Sequence, residues 1–463
     1  MDKAANAYEP AKRWPSRRGV LAAGLAAGAV VGTGAWRPAS AAPMPGWLRQ
    51  PGSLPYPSLP AGTDTIPQIE HIVVLMQENH SYDNKLGMLF RPGANGFRLG
   101  RDGLPAATNP YANGDIQHAF RMPTTCQNGT VTQEWEASHV QYDNGKLDGF
   151  VITSGAESMG YWQGEDQPFY YSMARLFPIG DAYHCSVLGQ TYPNRRYLLA
   201  ATSIGQVDDT TPALTDYPPN GTIYDQLDAH GITWKDYYTD LATTELYPPL
   251  YLKNVGTNVI PISNFFTDAA AGTLPNYSLV EPNYSTQSEE DPQNIAVGEA
   301  FAASVINAVI NGPAWDKTLL MWMYDEHGGY YDHVEPPAAV APDNIPPDVP
   351  AGESAYNGFA QLGFRVPFAL VSPWARRNHV SHVVYDHTSV LKLVETKWNL
   401  PALTYRDANA SAPLDMLDLR RPSFAEPPAL AQPLADTDAN ALLCSTTGPG
   451  TIPPPGSVTP PPA

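Results

Sequence analysis

The segment that most constrains the fold of this chain spans residues 318–333. Its first half, Leu319 to Tyr324, is an unbroken apolar and aromatic run without helical spacing, which is typical of a strand buried on both faces of a parallel sheet. The run ends in Asp325, and two glycines that can turn the chain sharply follow three residues later. Acidic side chains at the carboxyl end of a central strand lie where open α/β sheets build their sites.

Titratable side chains are dense after this predicted strand. Within nine residues the chain carries Asp325, Glu326, His327, Asp332 and His333. A solvated loop commonly carries one or two such groups, but five directly after a core strand favour a metal or acid/base site.

A second apolar run, Ile69 to Met76, also ends in polar residues. Glu78 and Asn79 follow it directly, with Ser81 close behind. Asn and Ser are good helix caps, which would explain one or two of these residues though not the whole cluster. The run therefore predicts a second core strand that delivers a carboxylate and an amide to the same edge of the sheet.

Predicted strands and helices alternate along the chain. Strands are expected at 232–238 and 363–371, and amphipathic helices at 222–231, 295–311 and 389–398. This alternation predicts an α/β fold with a mostly parallel central sheet, helices on both faces, and long loops at the carboxyl ends of the strands.

Between these elements, the Gly189-Gln190-Thr191 turn precedes a helix expected from Arg196. A hydroxyl and Arg195 beside a helix N-terminus suit a phosphate, although Thr191 could equally be a simple cap of that helix. The helix predicted over 135–150 carries His139, and a lone helical histidine is more often structural than catalytic.

The chain has 463 residues and a net charge of −19, and only 16% of its residues are charged. Such acidity argues against nucleic acid or an anionic membrane surface as the main partner. An anionic substrate would need a local cation in order to bind.

The N-terminus has the pattern of a twin-arginine signal peptide over residues 1–41, with Arg17-Arg18, a weakly apolar stretch, and a small-residue cleavage site at 39–41. Its apolar stretch is too short and too weakly apolar to predict a stable membrane anchor. The twin-arginine (Tat) translocon is therefore an expected partner during export, and the expected location is periplasmic or extracellular.

Further boundaries follow from composition. Residues 42–66 are a Pro-rich lead-in, 67–420 a catalytic domain with a cap or insertion over 240–290, and 421–463 a C-terminal segment with a disordered Pro-rich tail. Three cysteines do not make a disulfide framework, although a bridge between Cys126 and Cys185 remains open, and no cysteine/histidine spacing predicts a zinc site.

The candidate site groups offer oxygen and no sulfur: Glu78, Asn79, Thr191, Asp325 and Glu326. Oxygen ligation suits a hard divalent cation such as Mg²⁺, Ca²⁺ or Mn²⁺. A hydroxyl beside such an ion becomes a nucleophile at moderate pH. The histidines His139, His327 and His333 could protonate a leaving alkoxide or bind phosphate oxygens.

Several motifs resemble those of the bacterial phosphoesterase family, which includes non-specific phospholipases C and related acid phosphatases. Segment 78–83 (ENHSYD) is similar to the family's E-N-[RH]-S-[FY]-D motif, and 189–195 (GQTYPNR) to its G-P-T-D-P-N-R turn. Segment 324–334 (YDEHGGYYDHV) resembles its Y-D-E-H-G-G-F-Y-D-H-V signature. Segments 363–373, 386–389 and 403–409 continue in the family's order, so the resemblance covers about residues 67–420.

The resemblance implies an alkaline-phosphatase-like fold and one metal ion held by the five oxygen donors, with Thr191 as both ligand and nucleophile. It also implies a catalytic role for His139 and makes Arg195 and His387 candidates for substrate binding. Two departures stand out: Asp291 occupies the place of a family histidine, and Gln190-Thr191-Tyr192 replaces Pro-Thr-Asp.

We therefore expect an exported, metal-dependent phosphoric-ester hydrolase of phospholipase C type that works through a phospho-threonine. The alternative is a broad acid phosphatase acting on monoesters, distinguished by whether the mouth formed by 92–135 and 240–290 is wide and apolar or narrow and polar. A more distant alternative is a non-catalytic binding protein on this scaffold.

Overall fold

The secondary structure comes from a computed structural model that describes residues 48–127, 129–434 and 453–461. The predictions for residues 1–41 therefore lie outside the described residues. Within the described ranges, strands β1 to β13 cover His71–Gln77, Thr108–Pro110, Ile116–His118, Phe120–Arg121, Gly160–Tyr161, Ile179–Gly180, Trp234–Tyr238, Val259–Pro261, Tyr277–Val280, Thr318–Tyr324, Phe368–Val371, Val380–Ser381 and Val458–Thr459. Helices α1 to α11 cover Tyr82–Leu86, Trp135–Tyr142, Phe150–Ser154, Pro168–Leu176, Thr191–Ala200, Ile223–Ala229, Pro248–Asn254, Ser263–Ala271, Ile295–Ile310, His387–Trp398 and Tyr405–Ala408.

Eight of these strands form one central sheet in the order β12-β6-β11-β10-β1-β9-β7-β8. β1 pairs in parallel with β10 on one side and with β9 on the other, and β7 continues the parallel arrangement to β8. β11 runs antiparallel to both β10 and β6. The predicted α/β fold with a mostly parallel sheet is confirmed, with β11 as its antiparallel exception.

The centre of the sheet is covered on both faces. Every residue of β10 is buried, and so is every residue of β1 after His71. Because successive side chains of a strand point to opposite faces, this pattern requires apolar layers above and below the sheet. α9 supplies part of one layer, where it packs against β1 and β10, and it is capped by the Asn294 side chain, which accepts from the backbone N–H of Ala296.

The expectation of a cap or insertion over residues 240–290 is wrong. This region contributes β8, β9, α7 and α8, and β9 lies in the sheet between β1 and β7. The strand is only four residues long, Tyr277–Val280, and its neighbours in sequence are rich in Pro, Asn and Thr. A short apolar run in such surroundings lacks the periodicity that identifies a strand, and its parallel pairing with β1 decides its place.

The two ends of the described chain lie against the domain. In the lead-in, Gly52 and Ser53 exchange backbone hydrogen bonds with Ala402, at 2.7 and 3.1 Å. At the other end, Val458–Thr459 pairs antiparallel with β3, so part of the tail expected to be disordered forms a strand.

The cysteines differ from the pairing left open by the sequence. Cys185 is a buried free thiol, whereas Cys126 is disulfide-bonded, so a Cys126–Cys185 bridge is excluded. No helix among the described residues is both long and apolar enough to span a membrane.

Leu279→Ala tests whether β9 belongs to the core. Its side chain is fully buried, and we expect the free energy of unfolding to fall by about 3 kcal/mol, since a cavity replaces the leucine. Leu252→Ala is the control because Leu252 is 63% exposed. Urea unfolding measures the free energy of unfolding of both variants. If Leu279→Ala changes it as little as Leu252→Ala does, residues 240–290 would again be interpreted as a cap.

Candidate active site

Three neighbouring parallel strands each end in a buried carboxylate. Glu281 follows β9, Glu78 follows β1 and Asp325 follows β10, and all three side chains are at most 1% exposed. The register of β1 with β10 places Gln77 opposite Tyr324, so Glu78 and Asp325 leave the sheet side by side. Parallel pairing therefore concentrates negative charge at one buried edge of the sheet.

Arg195 is the cation that these three carboxylates share. Its Nε donates to Asp325 Oδ2 at 2.8 Å, its Nη1 lies 3.6 Å from Glu281 Oε2, and its Nη2 lies 3.8 Å from Glu78 Oε1. Nη1 also donates to the Tyr284 hydroxyl at 2.6 Å. Buried charges are tolerated only when they are paired and hydrogen-bonded, so Arg195 is required for the strand ends to keep this arrangement.

Helix α5 brings Thr191 to the same place. Thr191 is the first residue of the helix and Arg195 lies four residues later, so the two share one face. The turn before the helix is held by Asn194, whose Oδ1 accepts from Val187 N at 3.0 Å and whose Nδ2 donates to Gly189 O at 3.1 Å.

The helix begins five residues earlier than the sequence predicted, and Gln190 occupies its N-cap position. The Thr191 hydroxyl is 1% exposed and has no hydrogen-bond partner among the described residues. Capping therefore does not explain Thr191, and its buried hydroxyl is left for another group.

The same site contains further buried oxygens that lack partners within the described chain, namely Asn79 Oδ1 and Glu326 Oε1. Buried polar atoms are rarely left unpaired in proteins. Burial raises the pKa of Asp325 to about 7 and raises the pKa of Glu326 above its usual value. Unpaired oxygens, excess negative charge and the absence of sulfur fit a hard divalent cation.

Two backbone turns bring these donors together. Asn79 has a φ of 65° and Gly328 a φ of 67°. A Cβ added to Gly328 would lie 1.9 Å from Asn79 O, a distance that no side chain tolerates. The glycine after the Asp-Glu-His segment is therefore needed for the loops after β1 and β10 to touch.

His327 is held as a neutral imidazole beside this set. Its Nε2 donates to Gln141 Oε1 at 2.6 Å, and its Nδ1 lies 3.6 Å from Glu326 Oε2. Burial lowers the pKa of His327 to about 3. The neutral ring carries its hydrogen on Nε2, so Nδ1 has a free electron pair. Nδ1 can therefore accept a proton or bind a metal, but it cannot act as an acid.

His139 lies on α2, and its Nδ1 hydrogen is donated to Trp135 O at 2.7 Å. Its ring stacks on Tyr356 with 3.9 Å between centroids. The indole of Trp135 reaches within 3.5 Å of the Cβ position of Gly189, so α2 packs beside the turn that carries Thr191. Burial lowers the pKa of His139 to about 4, so the ring is neutral at pH 7. Because Nδ1 carries the hydrogen that is donated to Trp135 O, Nε2 is the nitrogen that can accept a proton.

His333 belongs to a second ionic cluster. Asp83, Asp332 and His333 place one ligand atom each within 4.8 Å of one another, but Arg365 donates to Asp332 at 2.8 Å and to Asp83 at 3.1 Å. The guanidinium therefore pairs with both carboxylates in the absence of any metal. Burial alone would lower the pKa of His333, but its 2.6 Å hydrogen bond to Asp83 raises it above its usual value.

Two residues predicted to bind substrate are engaged by the protein itself. His387 lies beneath the site, where its Nε2 donates to Asp325 O at 2.6 Å and its Nδ1 contacts the Tyr183 hydroxyl at 3.0 Å. The guanidinium of Arg195 is occupied by the strand-end carboxylates. Both side chains are buried and hydrogen-bonded to the protein, and substrate binding by either one stays a prediction.

Sequence reasoning missed two buried acids near the site. Glu281 was missed because β9 was not recognised as a strand. Glu289 binds Lys85 Nζ at 2.6 Å and the hydroxyls of Tyr170 and Tyr324 at 2.6 and 2.8 Å. No local pattern marks Glu289, since these partners come from three distant segments.

Asp291 stands where the resemblance expects a histidine. It is half-buried and lies near Asn79 and Glu157, and its pKa is raised to about 7, mainly by burial. The position therefore adds a carboxyl group, and not an imidazole, beside the predicted ligands.

We expect Arg195→Gln to lower the free energy of unfolding by about 3–5 kcal/mol at pH 8, because three buried carboxylates lose their cation. Because Arg195 lowers the pKa of Asp325, its removal raises that pKa further, so the deficit shrinks as the pH falls towards 5 and Asp325 takes up a proton. Denaturant unfolding at both pH values measures this. Arg196→Gln is the control, since Arg196 is also buried but forms an ion pair with one carboxylate among the described residues, that of Asp216. A loss in Arg195→Gln that is the same at both pH values would refute the shared-cation role.

Comparison with known proteins places these residues in a family. The sequence profile of the Phosphoesterase family matches residues 69–401. The chain is 30% identical to phospholipase C A of Mycobacterium tuberculosis over 79% of its own length and 80% of that protein. It is also 30% identical to non-specific phospholipase C1 of Arabidopsis thaliana, over 73% and 69% of the two chains.

The chain is also 30% identical to a non-hemolytic phospholipase C of Burkholderia pseudomallei. That alignment covers 73% of this chain but 56% of that protein. A solved structure described as a protein in the alkaline phosphatase superfamily from Vibrio parahaemolyticus is 11% identical, with a TM-score of 0.36 over 71% and 77% of the two chains. On the family match and the relatives together, this chain belongs to the Phosphoesterase family and is a phosphoric-ester hydrolase.

Proposed function

We propose that the chain is an exported, metal-dependent hydrolase of phospholipase C type, with Thr191 as its nucleophile. The observation that carries the proposal is the Thr191 hydroxyl, which is buried at the N-terminus of α5 without a partner among the described residues. It lies on the same helix face as Arg195, which binds the three strand-end carboxylates. The names of the similar proteins support a phospholipid as substrate.

The proposed metal ligands are Glu78, Asn79, Thr191, Asp325 and Glu326. A divalent cation held there would neutralise a phosphoryl group and lower the pKa of the Thr191 hydroxyl. The protein's own contribution is to hold the ligands. Arg195 and the His387 ring fix Asp325 from two sides, and Gly328 N donates to Glu326 Oε2 at 2.6 Å, which leaves Oε1 for binding.

In the proposed reaction, His139 takes the proton of the Thr191 hydroxyl and Oγ forms a bond to phosphorus. The bond between phosphorus and the ester oxygen breaks, and that oxygen receives the proton and leaves as the hydroxyl of diacylglycerol. Water then cleaves the resulting phospho-threonine and releases the phosphorylated head group. The N-terminus of α5 favours the negative charge of the bound phosphoryl group. His139, whose free Nε2 belongs to a neutral ring at pH 7, is the proposed general base.

A monoester phosphatase is the second candidate. The acidic surroundings favour the diester, because a diester carries one negative charge and a monoester close to two near pH 7. The strand ends carry three carboxylates and one buried guanidinium, so the singly charged diester is repelled less on entering the site than the doubly charged monoester.

Thr191→Ala tests the nucleophile. We expect hydrolysis of phosphatidylcholine and of p-nitrophenyl phosphorylcholine to fall by about a thousandfold or more, because no other hydroxyl replaces the lost one. Thr191→Ser keeps a hydroxyl and should retain measurable turnover and a trappable phospho-serine in quenched samples, seen by mass spectrometry.

The substrate pattern of the wild type separates the two candidates. Turnover of p-nitrophenyl phosphate without turnover of either diester would make the protein a phosphatase. Undiminished diester turnover in Thr191→Ala would refute the nucleophile, and no turnover of any ester with any divalent cation would favour the non-catalytic alternative.

Metal removal gives an independent test. We expect a chelator to lower the melting temperature and Mg²⁺, Ca²⁺ or Mn²⁺ to raise it, since a bound cation relieves the repulsion among buried carboxylates. Glu326→Gln should abolish the shift produced by the cation. His333→Gln should preserve it, because the Asp83 cluster already has Arg365; the opposite pattern would move the metal to that cluster.

Export by the twin-arginine pathway remains part of the proposal. It rests on the Arg17-Arg18 pattern in the sequence, and residues 1–41 lie outside the described structure.

A further inference from the structure

The loop that follows α1 carries an exposed hairpin with basic and apolar side chains, residues 98–105, which we term the arginine hairpin. Leu99 and Pro105 form an antiparallel bridge, Gly100 N donates to Leu104 O at 2.7 Å, and Ala106 N donates to Arg98 O at 2.8 Å. These backbone bonds show that the tip is an ordered structure.

The base of the arginine hairpin is fixed to the body of the domain. Asn95 bonds through its backbone N–H to Asp181 Oδ2 at 2.7 Å, through its carbonyl to Arg365 at 2.8 Å and through its side chain to His333 Nε2 at 3.1 Å. Phe97 is buried and packs edge-on against Tyr161. The hairpin is therefore tied to the loop that follows β10, which carries Asp325.

The tip presents apolar and basic groups together. Leu99 is 45% exposed and Leu104 is 55% exposed, so the hairpin presents two large apolar side chains to solvent. Arg98 and Arg101 are exposed beside them, and neither has a carboxylate partner within the described ranges. The hairpin itself holds two arginines and one aspartate, Asp102, in a chain whose net charge is −19.

We propose that the arginine hairpin docks the enzyme on a phospholipid surface, with Leu99 and Leu104 entering the interface and Arg98 and Arg101 contacting lipid phosphates. This proposal rests on the proposed function, because a phospholipase must reach its substrate at an interface. Two leucines and two arginines give weak, reversible binding, as transient docking requires. The acidic remainder of the surface is repelled by lipid phosphates, so the charge asymmetry also orients the hairpin towards the bilayer.

The composition of the tip favours lipid over other partners. Nucleic acid binding relies on many phosphate contacts, and the tip offers two arginines in a strongly acidic protein. Two exposed leucines do not make a loop more soluble, so solubility does not explain their presence. Interfacial segments, in contrast, combine an apolar part with nearby arginines or lysines.

The test uses vesicle co-sedimentation in the Thr191→Ala background, which prevents hydrolysis during the measurement. The probes are vesicles of phosphatidylcholine alone and vesicles that also contain phosphatidylglycerol. The variants are the pair Leu99→Ser with Leu104→Ser and the pair Arg98→Gln with Arg101→Gln. Leu252→Ser is the matched control, since it removes a leucine that is 63% exposed on α7.

We expect the leucine pair to weaken binding to both vesicle types on the order of tenfold. The arginine pair should weaken binding by a similar factor on the anionic vesicles and by a smaller factor on phosphatidylcholine alone. Leu252→Ser should bind as the parent does. With Thr191 restored, all variants should hydrolyse soluble p-nitrophenyl phosphorylcholine at the wild-type rate, which shows that the fold and site are intact, whereas the leucine pair should lose vesicle hydrolysis.

The outcomes separate the docking proposal from the proposed function. Vesicle binding that is absent in the parent, or equal in the hairpin variants and the Leu252 control, overturns docking whatever the soluble diester shows. If the wild type leaves soluble diester intact while the hairpin variants still lose vesicle binding, the proposed function fails and docking stands.

Discussion

The site depends on one buried guanidinium. Arg195 lies between the ends of β9, β1 and β10 and contacts a carboxylate from each. Three buried acids repel one another, and a single shared cation attracts all three and so offsets that repulsion. Because Arg195 belongs to α5, the same contact fixes the helix and therefore the hydroxyl of Thr191.

The supporting contacts show how the fold maintains this arrangement. The His387 ring bonds to Asp325 O from below, and Lys85, Tyr170 and Tyr324 surround the carboxylate of Glu289. Glu78 N in turn donates to Ser288 O at 2.9 Å, so the Glu289 network also holds the segment beside Glu78. These buried polar groups are satisfied by one another, as the low-dielectric interior requires.

The charge of the molecule has two consequences at different scales. An acidic protein that hydrolyses phosphate esters needs a local cation to bind its anionic substrate, and the metal proposed at the strand ends would supply it. At the scale of the surface, the same acidity makes a small basic and apolar hairpin distinctive.

Much of the fold could be predicted because its signals are local. The apolar runs that became β1 and β10, the helix over Ile295–Ile310 and the glycine after His327 can each be identified from neighbouring residues. β9 was missed, and the antiparallel direction of β11 was not foreseen. A four-residue strand has too few positions to show a period, and its direction is set by its partner.

The residue types and their order along the chain by themselves determined the α/β class, the oxygen donors at two strand ends and the family. Only the tertiary structure decided which groups meet. It placed Glu281 with Glu78 and Asp325, turned Arg195 and His387 inward as supports, and paired Asp83 and Asp332 with Arg365. The physical reason is that charge pairing and desolvation depend on distances between segments far apart in sequence, which no local pattern encodes.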